Sequence, residues 1–235
     1  MSTVSGRTLL SLQHVGAYYW RRKNYLSKEK YWALKDISFD LQQGEALGVI
    51  GRNGSGKSTL LRLLAGIVKP NRGTLINHGC TATLLSLQLG FQNDLNGRDN
   101  ALLSGMLLGL RKAEIKSQLS EIKAFSELGD FFEQPLKTYS SGMRARLGFS
   151  VAFQLNPDVL LIDEVLGVGD AQFNKKSTAL MREKIKSNQT IVLVSHSAAT
   201  IRQLCTKAVW IEQGETKAYG ETVEVMQRYQ KLVTS

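Results

Sequence analysis

The chain has 235 residues, of which 43% are hydrophobic and 21% charged, and its formal net charge is +10. This composition excludes a disordered or fibrous chain and leaves room for a sizeable core. Its apolar runs are too short to span a bilayer, we expect no secretory signal, and the two cysteines, Cys80 and Cys205, indicate reduced thiols rather than a disulfide framework.

The first elements are predicted to be β-strands. We expect Thr8–Val15 to be an edge strand and Ala33–Leu41 to be a second strand. The stretch Gly16–Tyr31 between them is too long for a plain hairpin and is predicted to be a functional loop. It interleaves aromatic and basic residues, a pattern compatible with stacking of nucleic-acid bases, with an anionic membrane surface, or with a solvated loop.

A glycine-rich segment follows the apolar run Ala46–Ile50 and precedes an apolar helix start at Leu60. Its sequence from Gly51 to Thr59 fits Gly-x-x-x-x-Gly-Lys-Ser, which between a strand and a helix predicts a phosphate-binding loop. The predicted nucleotide-binding residues are Gly51, Asn53, Gly54, Ser55, Gly56, Lys57, Ser58 and Thr59. Lys57 would reach the β- and γ-phosphates, and the hydroxyl of Ser58 would ligate Mg²⁺.

Further along, the pattern changes from strands to helices and back. Strands are predicted at Thr74–Ile76 and Thr81–Leu87, and a helical subdomain at about residues 97–155, inserted in an α/β core. The last part alternates again, with strands predicted at Val159–Ile162, Thr190–Val194 and Ala208–Ile211 and helices at Ala171–Ser187 and Glu221–Leu232. The predicted fold class is α/β with a mostly parallel sheet and an antiparallel β edge subdomain.

Two of these strands end in residues suited to phosphate chemistry. Ligands of open α/β sheets bind at the carboxyl ends of the strands. Asp163 at such an end is predicted to hold Mg²⁺, and the adjacent Glu164 to polarise the attacking water. His196 follows Thr190–Val194 and could contact the γ-phosphate, although a lone histidine is more often structural.

A second anion site is predicted where Tyr139-Ser140-Ser141-Gly142-Met143 opens a helix. Serines at this position are also ordinary helix caps. Two phosphate-type sites in one chain raise the question of what fills the second.

Together these motifs resemble the nucleotide-binding subunit of an ABC transporter, over nearly the whole chain. The matching segments are Walker A at Gly51–Ser58, Walker B at Val159–Asp163 with Glu164 as catalytic carboxylate, the signature at Tyr139–Met143, the D-loop ending at Asp170, and the switch histidine His196. The signature reads Tyr-Ser-Ser-Gly-Met instead of Leu-Ser-Gly-Gly-Gln, and the D-loop reads Gly-Val-Gly-Asp instead of Ser-Ala-Leu-Asp. These departures, with Trp32–Phe39 and the aromatic–basic stretch before it, resemble the branch that exports O-antigen, capsule or teichoic acid.

The resemblance implies further site residues. The family's Q-loop glutamine, a Mg²⁺ contact, matches Gln88, with Gln92 as the alternative. The aromatic residue that stacks on adenine matches Tyr19 in register, with Trp32 as the alternative.

The resemblance also implies cofactors and partners. They are ATP and Mg²⁺, a second copy in a head-to-tail homodimer, and two copies of a separate membrane permease. In that dimer Ser140, Ser141, Gly142 and Met143 of one copy would cap the γ-phosphate held by the other. The chain is expected to be a single ABC ATPase domain over residues 1–235, held at the cytoplasmic face of the plasma membrane through the permease. We expect no C-terminal carbohydrate-binding domain, no direct glycan binding and no nucleic-acid partner.

The resulting hypothesis is an ATPase that drives export of a lipid-linked polysaccharide. One alternative is an ABC ATPase for another exported substrate, such as a lipid or a drug. The other is a non-transport ABC ATPase that acts on nucleic acid, which the net charge of +10 favours.

Overall fold

A computed structural model describes residues 6–23, 27–163, 170–195 and 197–233. The chain divides into two compact units. The sheet unit contains the described residues of Met1–Leu84, Pro157–Glu164 and Glu183–Ser235, and the helical unit those of Leu85–Asn156 and Val165–Arg182.

The sheet unit is built on one nine-stranded sheet in the order β4-β1-β2-β9-β8-β3-β7-β6-β5. Its strands are β1 (Thr8–Arg22), β2 (Lys28–Gln42), β3 (Ala46–Ile50), β4 (Arg72–Asn77), β5 (Ala82–Leu84), β6 (Val159–Asp163), β7 (Thr190–Val194), β8 (Lys207–Glu212) and β9 (Glu215–Glu221). Five neighbouring strands are parallel to one another: β8, β3, β7, β6 and β5. Every residue of β3 and β7 is buried, as expected for parallel strands covered on both faces.

The other half of the sheet is mainly antiparallel. β1 pairs with β2 on one side and with β4 on the other, so β4 forms the edge and the prediction of an edge strand at Thr8–Val15 is wrong. The predicted loop Gly16–Tyr31 is also wrong for its described residues, since both strands continue through it and pair from Tyr18↔Trp32 to Arg22↔Lys28. Aromatic side chains favour strands even when basic residues lie between them. Their cross-strand contacts stabilise the paired strands more than repulsion between the basic residues destabilises them.

Three helices accompany the sheet within this unit: α1 (Lys57–Leu64), α6 (Ala198–Leu204) and α7 (Thr222–Val233). The buried leucines of α1 pack in one core with apolar residues of β1, β2, β3, β6 and β7. The sequence pattern missed α6 and β9, because α6 has only 7 residues and β9 buries only one side chain. The helix predicted at Glu221–Leu232 is α7.

The helical unit contains α2 (Gly97–Leu107), α3 (Lys112–Ser126), α4 (Ser141–Ala152) and the start of α5 (Ala171–Lys186), with short 3₁₀ turns at Gly129–Glu133 and Leu136–Thr138. Asn96 caps α2 by accepting a hydrogen bond from the Asp99 N–H at 2.8 Å. Phenylalanines from α3, α5, α4 and the residue that follows α4 pack against one another with ring centroids 5.7–6.4 Å apart: Phe125, Phe149, Phe153 and Phe173. This cluster holds α5 against the helix that follows the signature segment.

Within the part of the chain that the structure describes, no helix is both long and apolar enough to cross a membrane. The architecture of strands and helices agrees with the predicted α/β class.

Candidate nucleotide site

The glycine-rich loop joins the carboxyl end of β3 to the start of α1. Gly51, Gly54 and Gly56 have φ of 153°, 76° and 109°. Residues other than glycine rarely adopt this region of backbone conformation. At Gly56 a Cβ would lie 2.5 Å from the carbonyl oxygen of Ala33, whereas at Gly54 it would meet nothing within 4 Å. At Gly51 a Cβ would clash with the carbonyl oxygen of Ile211, so the loop is packed tightly at both ends and open between them.

The start of α1 provides positive charge beneath this loop. Gly56 is the N-cap and offers no side-chain acceptor, and the first turn contains no acidic residue. The first N–H groups of the helix thus keep their capacity to bind an anion. Lys57 is 7% exposed, and its ammonium donates to the carbonyl oxygens of Gly51 at 2.8 Å and Arg52 at 2.9 Å.

The hydroxyl of Ser55 is a second polar group that the loop holds inside. Its Oγ is buried and has no hydrogen-bond partner among the described residues. A buried hydroxyl without a partner is costly, and a bound polar ligand would remove that cost. The loop therefore fits a phosphate group by its backbone, its cation and its unused donor.

A cavity of about 280 Å³ opens above the loop. Its walls come from β1, β2, the loop, α1 and the ends of β6 and β7; the lining residues are Tyr19, Tyr31, Ala33, Asn53, Gly54, Gly56, Lys57, Ser58, Thr59, Asp163 and Val194. We call it the loop cavity. It brings together most of the residues that the sequence predicted for the nucleotide, including Ser58 and Asp163 for Mg²⁺.

Asp163 reaches the loop cavity because of the strand order. β7 lies between β3 and β6, and Asp163 pairs in register with Val194, the last residue of β7. Parallel strands end at the same edge of a sheet, so the carboxylate lies at the edge from which the glycine loop departs. Glu164 and His196, the predicted catalytic residues, lie outside the described residues.

The two predicted adenine contacts lie on opposite faces of the β1–β2 hairpin. Tyr19 lines the loop cavity together with Tyr31, its cross-strand partner. Trp32 follows Tyr31 and contacts Tyr18 instead, with ring centroids 5.2 Å apart. Sequence analysis missed Tyr31, since only the strand register shows that it shares a face with Tyr19.

The signature segment lies in the helical unit, at the N-terminus of α4. Ser140 caps α4 by accepting from the Met143 N–H at 3.1 Å, and Ser141 is exposed beside Gly142. Tyr139 is buried and donates its hydroxyl to the carbonyl oxygen of Phe131 at 2.6 Å. Burial raises the pKa of Tyr139 to about 12, so this anchor stays neutral and holds the segment in place.

Asp170 lies just before α5 in the same unit. Its Oδ1 accepts a hydrogen bond from the Phe173 N–H at 2.9 Å, and Arg146 of α4 pairs with the same carboxylate. The Phe173 N–H, and after it the Arg146 guanidinium, hold the pKa of Asp170 below its usual range. The carboxylate is thus ionised and engaged by both α4 and α5.

The two candidate Q-loop residues, Gln88 and Gln92, both have exposed side chains between β5 and α2. Asn100 holds the backbone of Gln92, accepting from its N–H at 2.7 Å and donating to its carbonyl oxygen at 3.0 Å. The structure places both glutamines without choosing between them.

The sequence is similar to those of known ATP-binding proteins. Residues 34–167 match the model of the family described as ABC transporter. The O-antigen export system ATP-binding protein of Klebsiella pneumoniae is 45% identical over 208 residues, which cover 88% of this chain and 85% of that protein. The teichoic acids export ATP-binding protein of Lactococcus lactis is 45% identical over 210 residues. The chain spans only 45% of the length of that relative.

Solved structures share the fold. One is a dimeric ATP-binding cassette bound to ADP and phosphate in a post-hydrolysis state, with a TM-score of 0.75 and 20% identity, covering 91% of this chain and 99% of that one. Another is the ATP-binding subunit of an ABC transporter, with a TM-score of 0.76 and 23% identity, covering 95% of this chain and 94% of that one. The predicted fold class and family are confirmed: the chain belongs to the ABC transporter family, as an ATP-binding and ATP-hydrolysing subunit.

Proposed function

We propose that the chain is the ATPase of an exporter for a lipid-linked polysaccharide such as O-antigen or teichoic acid. The observation that carries this proposal is the 45% identity to the O-antigen export protein of Klebsiella pneumoniae across 85% of its length. Three relatives named for teichoic acid export are 40–45% identical to this chain over 205–210 residues. Capsular polysaccharide is a further substrate of the same chemical class.

The residues that line the loop cavity support separate roles in ATP binding and hydrolysis. The loop N–H groups, Lys57 and the N-terminus of α1 would hold the phosphates of ATP, and Tyr19 would contact its base. Ser58 and Asp163, which line one cavity, would hold Mg²⁺, with Gln88 or Gln92 as a further contact. When bound, the ion would neutralise charge that develops on the transferred phosphoryl group. Glu164 would accept a proton from the attacking water, and His196 would orient that water.

A second copy of the chain completes the site in this proposal. Ser140, Ser141, Gly142 and Met143 of one copy would contact the γ-phosphate held by the loop of the other. The exposed start of α4, which Ser140 caps, supports this role, because helix N-termini attract anions. Asp170 would lie at the same dimer interface. ATP binding would close the dimer, and hydrolysis would open it again.

The proposal places the protein at the cytoplasmic face of the plasma membrane, bound to two copies of a separate permease. Its named relatives are ATP-binding proteins of export systems, which supports a separate membrane component. That the chain itself does not bind glycan stays a prediction, as does the single-domain organisation over residues 1–235.

The test is to delete the gene, supply wild-type or Lys57→Ala protein, and measure surface and cytoplasmic glycan separately. We expect the deletion to trap lipid-linked glycan inside, wild type to restore it to the surface, and Lys57→Ala to fail. Normal surface glycan in the deletion strain would contradict export.

The same strains also test the nucleic-acid alternative, which the net charge of +10 favours. Salt-sensitive DNA binding by the purified chain, together with normal surface glycan in the deletion strain, would replace the export proposal by that alternative.

A further inference from the structure

The β1–β2 hairpin extends beyond the sheet as a two-stranded ribbon, formed by Tyr18–Arg22 and Lys28–Trp32. Pairing of β1 with β4 ends at Gly16↔Arg72, and pairing of β2 with β9 involves only Asp36↔Glu215. Past these points the described strands pair only with each other, from Tyr18↔Trp32 to Arg22↔Lys28. Two strands without a further partner are marginally stable in water, so the ribbon depends on its cross-strand side chains.

The two faces of the ribbon differ in what they contact. Tyr19 and Tyr31 lie on the face that lines the loop cavity. Alternate residues of a strand point to opposite sides, so Tyr18, Trp20, Lys30 and Trp32 form the other face, which we call the outer face. The nucleotide site proposed above uses no residue of the outer face except the alternative adenine contact Trp32.

The outer face is a cluster of rings around one cation. The ammonium of Lys30 lies 4.8 Å from the ring centroid of Tyr18 and 5.7 Å from that of Trp20. The rings of Tyr18 and Trp20 meet edge to face at an interplanar angle of 86°. Trp20 is nevertheless 59% exposed, the most exposed large aromatic side chain on the ribbon. A tryptophan that contacts Tyr18 and Lys30 and is still largely exposed suits an interface that is apolar on one side and polar on the other.

Charge is distributed asymmetrically around this cluster. The segment from 18 to 32 has five basic residues, Arg21, Arg22, Lys23, Lys28 and Lys30, and one acidic residue, Glu29. Glu29 pairs with Arg21 at 2.6 Å on the cavity side, and Arg21 lowers the pKa of Glu29. The outer face and the end of the ribbon are therefore strongly positive, which complements an anionic surface.

We propose that the outer face binds an anionic phospholipid membrane directly, with Trp20 among the headgroups and Lys30 and its basic neighbours against lipid phosphates. Tryptophan is favoured at membrane–water interfaces, and basic residues are attracted to anionic leaflets. Single-stranded nucleic acid fits less well, since base stacking requires an open ring face. Here the Lys30 ammonium lies over the rings of both Tyr18 and Trp20. This inference goes beyond the proposed export function, because it needs no permease.

The test uses the purified full chain and two kinds of vesicle, phosphatidylcholine alone and an equimolar mixture with phosphatidylglycerol. We expect sedimentation only with the phosphatidylglycerol vesicles, weakened by added salt. Lys30→Ala should weaken binding roughly five-fold, the effect of one basic group near such a surface. Trp20→Ala should weaken it several-fold more. The matched control is Lys116→Ala, which removes a charge that is also exposed, on α3, and should leave binding unchanged.

Tryptophan emission gives a second, independent readout. Binding should shift the emission of wild type to shorter wavelength, and Trp20→Phe should abolish the shift while keeping vesicle binding within a few-fold. ATP turnover without vesicles should be unchanged in all these variants, which separates lost membrane binding from misfolding or from failure of the ATPase. Wild-type binding in both Lys30→Ala and Trp20→Ala, or no binding of wild type to phosphatidylglycerol, would overturn the proposal. So would a Trp20 shift produced by an oligonucleotide but not by vesicles.

Discussion

The guanidinium of Arg146 joins two helices by pairing with the carboxylate of Asp170, just before α5. Arg146 belongs to α4, the helix that Ser140 caps, and it also lies 3.4 Å from Glu127 and over the ring of Phe173 at 5.2 Å. Asp170 caps α5 through the Phe173 N–H. In the proposed dimer, α4 and Asp170 both face the second copy, so this pair would fix their relative position.

Replacing Arg146 with Met should therefore reduce ATP turnover more than ATP binding. We expect kcat to fall roughly ten- to hundred-fold, since small misplacements of a catalytic group have effects of this size. Binding of a fluorescent ATP analogue to the monomer should stay near wild type, and Arg146→Lys should recover part of the turnover. Arg98→Met is the control, because Arg98 also pairs with a carboxylate, that of Glu133, at 2.6 Å. Wild-type turnover in Arg146→Met would show that the pair is dispensable.

The glycine loop gives a prediction about backbone conformation. Gly56→Ala should abolish nucleotide binding, because the residue has φ of 109° and the new methyl would lie 2.5 Å from the Ala33 carbonyl oxygen. Gly54 also has a positive φ, 76°, but a Cβ at this position would have no atom within 4 Å. Gly54→Ala therefore tests the cost of the backbone conformation without a steric contact. A left-handed conformation costs about 1–3 kcal/mol by itself. Nucleotide titration and urea unfolding of both variants separate the two effects, and equal losses would mean that the contact with Ala33 is unimportant.

Sequence alone predicted the elements whose signals are local. The glycine loop and the largely buried strands β3, β6 and β7 combine a motif or an apolar run with clear boundaries, so their positions follow directly. The prediction of a loop at Gly16–Tyr31 failed because it rests on the length of the stretch between the two strand patterns, which is too long for a plain hairpin. The ribbon instead depends on pairs such as Trp20↔Lys30, which only the strand register creates.

In the candidate site, too, residues with a local sequence signal could be predicted and residues placed by tertiary contacts could not. The loop, Ser58 and Asp163 could be predicted because motif and strand end specify them. Tyr31 could not, since its place in the loop cavity depends on pairing with Tyr19 across the hairpin. The link between Arg146 and Asp170 is likewise a tertiary contact between residues 24 positions apart in sequence.

The hairpin faces predict which aromatic residues contact the base. Tyr31→Ala and Tyr19→Ala should each weaken ATP binding, because both side chains line the loop cavity. A stacked ring contributes about 1–3 kcal/mol, which corresponds to a loss of roughly 5- to 150-fold. Trp32→Ala should retain affinity, since Trp32 contacts Tyr18 on the outer face. Calorimetric titration with ATP checks this, and a large loss in Trp32→Ala alone would assign the base contact to Trp32.

Buried thiols predict how stability responds to alkaline pH. Burial raises the pKa of Cys205 from 9.0 to about 12, so the folded state holds this proton more tightly than the unfolded state. This contribution is fully present below about pH 9 and is lost as the pH rises toward 12. Each such group adds at most about 1.4 kcal/mol per pH unit to the decline. The free energy of unfolding in urea should thus fall more steeply with pH for wild type than for Cys205→Ala. Parallel slopes would contradict burial of a neutral thiol.

Glu164→Gln tests whether Glu164 is the base for ATP hydrolysis, the step that would open the proposed dimer. An amide cannot accept the proton of the attacking water, and a positioned base contributes roughly 10²–10⁴-fold to a rate. Turnover should fall by that factor while ATP affinity is kept, and the variant should accumulate as an ATP-bound dimer on size-exclusion chromatography. Adding Ser140→Ala or Lys57→Ala should return it to monomer, because the proposed dimer would need the signature of one copy and the phosphate loop of the other. A Glu164→Gln protein with wild-type turnover would remove Glu164 as the base. A dimer that forms equally well without ATP would show that the two copies do not need the nucleotide to associate.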